Sequence, residues 1–115
     1  MNKYHNIKTI INGVKYDSKK ESKRAFELEL MQKGGLIKEL ERQKRFELQP
    51  KFVDNSGTTQ RKIEYVCDFY YYDLKDSVYV AEDVKSPATR QDKTYRLKKK
   101  MFLYEYPNIK FKEIL

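Results

Sequence analysis

Residues 63–71 read Ile-Glu-Tyr-Val-Cys-Asp-Phe-Tyr-Tyr, with Ile63, Tyr65, Cys67, Phe69 and Tyr71 apolar at every second position. Period two is the repeat of a β-strand with one buried face. A chain of 115 residues has room for one domain and one core, so this strand belongs at the centre of it. Charged residues make up 37% of the chain, which alone would suit disorder. Ten Tyr and six Phe supply the surface to bury, so a folded domain with a charged exterior is expected over residues 1–115.

The remaining pattern sets the order of elements. Residues 7–17 suit a β-hairpin turning at Asn12-Gly13. Residues 18–33 suit a helix stopped by Gly34-Gly35. Residues 36–53 hold one or two strands, with Phe46, Leu48 and Phe52 alternating until Pro50 interrupts. Asp54-Asn55-Ser56-Gly57 is a loop. Residues 62–73 and 77–85 form two strands around a tight turn near Lys75-Asp76. Residues 90–106 form a second helix ended by Pro107-Asn108, and residues 109–114 a last strand. Hairpin, helix, three strands, helix, strand describes a single α/β domain with one sheet.

Several classes are excluded by what the chain lacks. Cys67 has no partner for an internal disulfide, which fits a reducing cytoplasm. His5 and Cys67 are too few for a zinc site. The N-terminal residues lead into no apolar signal region, and no apolar run approaches the ~20 residues that span a bilayer.

Charge narrows the partners. Lys and Arg number 25 against 17 Asp and Glu, a net charge of +8, which attracts polyanions and nucleic acid first among them. The excess is uneven. Residues 90–100 carry Arg90, Lys93, Arg96, Lys98, Lys99 and Lys100 against Asp92, or +5. Lys93, Arg96 and Lys100 form one stripe suited to tracking phosphates. Tyr95, Leu97, Met101 and Phe102 define the apolar arc, and Lys98 falls inside it, either snorkelling outward or reaching the sheet. A basic amphipathic helix also suits a membrane surface, but the sheet needs the same apolar face, so nucleic acid ranks well above membrane.

Residues 62–85 run the other way, with three lysines against six acids, or −3. Asp73 and Asp76 belong to a turn. Asp68 and Asp83 lie within strands, where an unpaired carboxylate is costly. Asp83 and Lys85 are two apart and project alike, about 6.6 Å along the strand. If the strands pair, Asp68 and Asp83 converge on one side. Two carboxylates and a lysine there suit phosphodiester hydrolysis, with the acids holding Mg²⁺ or Mn²⁺ and the lysine orienting or deprotonating water. Spacing alone favours a surface ion pair, because Asp-x-Lys is common by chance. Glu82 projects to the opposite face and has no lysine two residues on.

The first helix opens with Ser18-Lys19-Lys20-Glu21, a capping box that gives Glu21 a sufficient structural role. Glu21 also begins the buried stripe that continues through Ala25 and Leu28, where a carboxylate would overhang the sheet edge.

These pieces in this order resemble the PD-(D/E)XK nuclease superfamily, over about residues 12–114. The likeness is nearest a small phage-encoded branch related to Holliday junction resolvases. Tyr16-Asp17-Ser18-Lys19-Lys20-Glu21 resembles the F-x-S-x-x-E helix start of transposon and restriction endonucleases. Asp68 corresponds to the first catalytic Asp, Asp83-Val84-Lys85 to the (D/E)-x-K, and Gln43-Lys44-Arg45-Phe46 to Q-x-x-F. Lys98 and Lys100 resemble its helix lysines. The chain departs from the pattern at Ser86, where this branch usually has Gly, and in having no Pro before Asp68.

The resemblance implies a restriction-endonuclease-like αβββαβ core, a mixed sheet flanked by helices. It implies a Mg²⁺- or Mn²⁺-dependent DNA endonuclease in phage recombination or DNA processing, selective for Holliday junctions or other branched DNA. Asp68, Asp83, the Val84 carbonyl and Glu21 are the implied metal ligands, and Lys85 the implied water-positioning group. Gln43, Arg90, Lys93, Arg96, Lys98, Lys99 and Lys100 are the implied DNA contacts, assisted by Lys19, Lys20, Lys23 and Arg24. Two-strand cutting implies a homodimer, and a phage gene implies the host cytoplasm. The alternatives are a DNA- or partner-binding module on the same fold, and an RNA-processing nuclease.

Overall fold

The alternating strand of residues 63–71 lies inside a four-stranded sheet. The structure, a computed structural model, describes residues 9–11, 14–16 and 18–115. β1 (Thr9–Ile11) and β2 (Val14–Tyr16) form an antiparallel hairpin beside α1 (Lys19–Lys33). The expected Asn12-Gly13 turn, His5 and Asp17 lie outside the described residues. β3 (Ile37–Gln49) leads to a two-stranded ribbon, β4 (Phe52–Val53) and β5 (Thr59–Gln60). Then follow β6 (Ile63–Asp73), β7 (Val78–Val84), α2 (Pro87–Arg90), α3 (Lys93–Glu105) and β8 (Lys110–Ile114).

The sheet order is β3-β6-β7-β8, antiparallel except that β8 runs parallel to β7. A parallel neighbour requires a crossover, which α2 and α3 supply. Leaving aside the hairpin and the ribbon, the order is one helix, three strands, the two helices α2 and α3, and a last strand. The fold is a small mixed α/β domain with helices on both faces of a mixed sheet.

Two apolar clusters sandwich that sheet. Ala25 and Leu28 of α1 pack on Ile37, Phe69, Tyr71 and Val80. Tyr95 and Phe102 of α3 pack on Phe46, Leu48, Tyr65, Cys67 and Ala81. Phe46 meets Tyr70, Phe102 and Tyr106 edge to face, with ring centroids 5.3, 4.9 and 5.1 Å away.

The buried odd-numbered residues of β6 do not share one face, contrary to the alternation. Tyr65 and Cys67 enter the α3 cluster, whereas Phe69 and Tyr71 enter the α1 cluster. The exchange falls at Asp68. The facing strand exchanges too. Phe46 and Leu48 point to α3, while Arg42 reaches Glu21 of α1. Between them Gln43 has φ 54°, a left-handed conformation that reverses the strand's parity.

The second helix is also not continuous over 90–106. Asp92 has extended backbone, and its carboxylate accepts the Tyr95 N–H at 2.9 Å, which starts a new helix. Leu97 is exposed rather than part of the apolar arc. Phe52 is exposed, because its ribbon lies outside the main sheet. At the other helix, Ser18 caps α1 by accepting the Glu21 N–H at 3.1 Å, and Gly35 takes φ 78° just past its end, as the sequence requires.

Candidate active site

The cap of α1 uses the Glu21 backbone and leaves its carboxylate facing the sheet. Glu21 is 3% exposed. Its Oε1 accepts from Gln43 Nε2 at 3.3 Å and lies 3.5 Å from the Arg42 guanidinium. Cap and site are therefore served by different atoms of one residue. Arg42 had no distinguishing pattern in the sequence.

Asp68 stands where the strands exchange faces. Its Oδ2 accepts the Val84 N–H at 2.7 Å, and its Oδ1 lies 3.4 Å from Gln43 Nε2. A single amide thus spans Glu21 and Asp68. The unusual Gln43 backbone is what aims it there, and such conformations gather at functional sites.

Asp83 is 2% exposed. Its Oδ2 accepts from the Tyr65 hydroxyl, and its Oδ1 lies 2.8 Å from Lys85 Nζ. Asp83 and Lys85 therefore pair as their spacing predicts, but as a sheltered pair and not a solvated one. Lys85 Nζ also sits 4.3 Å over the Tyr95 ring, and the Lys85 carbonyl accepts from Lys20 Nζ at 3.2 Å.

Ser18, Lys20, Glu21, Asp68, Val84, Lys85, Ser86 and Thr89 line a cavity of about 210 Å³ at the end of β7. Asp83 does not line it, contrary to its expected place among the metal ligands, and touches the lining residue Lys85 instead. Burial, then Asp83 and then Glu21, push the Asp68 carboxyl up to about 8. Burial and the neighbouring Asp83 likewise raise the Tyr65 phenol, and the same causes push the Cys67 thiol up to about 12. Cys67 is buried and has no nucleophilic character to offer.

The donors fit a hard divalent cation. Among the described residues no three carboxylate, thiol or imidazole side chains gather closely enough to ligate an ion unaided. Mg²⁺ does not require that. It retains several waters and takes one or two carboxylates from the protein. Glu21, Asp68 and Val84 border the cavity, and a cation there would offset the charges of Asp83 and Glu21 that, after burial, raise Asp68.

Glu82 lies on the α1 side, as its parity predicts. It is fully buried and receives Arg24 through two bonds of 2.7 Å, with the Tyr71 hydroxyl as a third donor. The Glu82 bond raises the Arg24 guanidinium above its ordinary value. This corrects the expectation that Arg24 holds nucleic acid, because its fork is committed inside the domain.

The basic helix is divided in role. Lys93, Arg96 and Lys100 are exposed along α3. Arg90, Arg96, Lys99 and Lys100 border a groove of about 500 Å³ together with Tyr95 and Glu113. Lys99 is paired there, 3.0 Å from Glu113. Burial alone would raise Glu113, but bonds from Tyr95 and Lys99 outweigh it and hold the carboxyl below its usual range. Lys98 is half-buried and forms no salt bridge with the described carboxylates.

Among the described residues no helix is long and apolar enough to cross a membrane. Residues 1–115 match the family model described as "Protein of unknown function (DUF1064)". Neither the curated proteins nor the solved structures gave a match.

Proposed function

The chain belongs to the DUF1064 family, and for it we propose a divalent-metal-dependent DNA endonuclease, selective for branched DNA. One observation carries this reading. Glu21, Asp68, Val84 and Lys85 border a single cavity, and the Lys85 ammonium is paired with Asp83. The resemblance of these positions to the PD-(D/E)XK motifs supports it, as does the basic groove on α3.

Glu21, Asp68 and the Val84 carbonyl would hold Mg²⁺ or Mn²⁺. The ion supplies charge neutralisation at the phosphoryl oxygens and a more acidic bound water. Gln43 fixes the separation of the two carboxylates through its amide. Asp83 holds Lys85 at the cavity wall, where the ammonium orients the attacking water and offsets charge on the phosphate. Lys93, Arg96 and Lys100 bind the backbone beyond the cut, with Arg90 at the groove's near end. Lys19, Lys20 and Lys23 line a second basic hollow with Ile114 and Leu115. Two strands cut together would require a homodimer.

The test is cleavage of junction, flap, duplex and single-stranded DNA with Mg²⁺ or Mn²⁺, by wild type, Asp68→Asn and Lys85→Ala. Metal-dependent cleavage lost in both variants is the expected result. Undiminished cleavage in both sinks the assignment. A binding module on the same fold would instead retain DNA affinity while calorimetry finds neither ion bound.

A further inference from the structure

A lysine ammonium rides on four flexible carbons, so one carboxylate fixes its distance but not its direction. In this chain Lys85 has a second wall. Its Nζ lies 2.8 Å from Asp83 Oδ1 and 4.3 Å over the face of the Tyr95 ring. The negative face of an aromatic ring attracts a cation, and more strongly where water is excluded. Tyr95 is 9% exposed. Its ring is immobilised at both ends. The backbone N–H is bound by the Asp92 cap at 2.9 Å, and the hydroxyl donates to Glu113, which Lys99 also holds at 3.0 Å. The break between α2 and α3 at Asp92 is therefore what brings Tyr95 to the site.

We propose that Tyr95 is a positioning residue for Lys85, its ring face and Asp83 together clamping the ammonium in the direction that hydrolysis needs. This rests on the nuclease reading, and it makes the ring, not the hydroxyl, the functional part of Tyr95. Loss of the ring frees the Lys85 ammonium to leave its place beside Asp83, while the exposed cations Lys93, Arg96 and Lys100 stay where they are.

Two readouts decide it. In the intact 115-residue chain the ε-methylene protons of Lys85 should resonate upfield through the ring current, both in wild type and in Tyr95→Phe. They should return to the ordinary lysine position in Tyr95→Leu. An unshifted Lys85 in wild type overturns the proposal, whatever cleavage shows. In metal-dependent cleavage Tyr95→Phe should stay within about twofold of the wild-type kcat, and Tyr95→Leu should fall about tenfold at unchanged KM for DNA. Equal loss in the Phe and Leu variants overturns the proposal. If Tyr95→Leu does not fold, Tyr95→Phe decides: a retained shift with retained kcat supports the clamp, and a lost kcat overturns it. If wild type cleaves no DNA, the nuclease reading fails by itself, and the Lys85 shift still decides whether the clamp exists.

Discussion

Gln43 donates towards both Glu21 and Asp68 from a backbone at φ 54°, at the level of the sheet where β3 and β6 exchange faces. Regular β-geometry would turn this side chain away from one of its partners. A left-handed residue other than glycine costs about 1 kcal/mol or more, so the conformation is held by what surrounds it. Gln43→Gly and Gln43→Ala both lose the amide, but only Gly accepts the backbone without strain. Urea unfolding should find Gln43→Gly more stable than Gln43→Ala by about 1 kcal/mol. Equal stabilities would show that the positive φ is absent in solution.

Asp68 gives a pH dependence whose sign follows from its surroundings. Burial and the charges of Asp83 and Glu21 raise its folded-state value to about 8, above the ordinary carboxyl value of 3.8. The folded chain thus binds a proton that the unfolded chain has released. Without divalent metal, stability should fall as pH rises from the ordinary carboxyl value through about 8. Asp68→Asn keeps the shape of the neutral acid and should flatten that decline. The measurement is thermal unfolding in a chelating buffer from pH 5 to 9, and a slope unchanged by Asp68→Asn would remove Asp68 as its source.

Arg24 and Glu82 form a largely buried pair on the α1 side of the sheet. Breaking such a pair leaves an uncompensated charge, typically at a cost of about 3–5 kcal/mol. Arg24→Met should therefore destabilise the domain by about 3 kcal/mol. Adding Glu82→Gln removes the stranded charge and still accepts from Tyr71, so the double variant should recover at least half the loss. Denaturant unfolding of the four chains completes the cycle, and additive losses would mean that the two residues are not coupled.

The element order was legible because each signal was local. The Ser18 cap, the Gly34-Gly35 stop and the period of residues 63–71 each act within a few residues. The pairing of Asp83 with Lys85 was legible too, since strand parity fixes it. What escaped depended on tertiary contact. No glycine at position 43 announced the positive φ, so the change of face at Asp68 could not be seen. Arg24 read as one more surface cation, because Glu82 lies 58 residues away. Tyr95 read as core, and it is core. Its second use appears once Asp92 breaks the helix and Lys85 arrives over the ring.

The cations of α3 should differ in their contribution to DNA binding, although the sequence presents them as one run. Lys93, Arg96 and Lys100 are exposed, and among the described residues no carboxylate forms a salt bridge with them. Lys99 is already neutralised by Glu113 at 3.0 Å, with its ammonium also over the Phe111 ring at 5.2 Å. A phosphate contact releases counterions, so deleting one lowers the slope of log affinity against log salt by about 0.9 on duplex DNA. Arg96→Ala and Lys100→Ala should each reduce the slope by about that amount. Lys99→Ala should change the slope far less, because Lys99 would have to leave Glu113 to reach a phosphate. Fluorescence anisotropy on one duplex across a salt series provides the measurement. A full reduction by Lys99→Ala would mean that the Glu113 pair opens on binding and that the groove is remodelled around DNA.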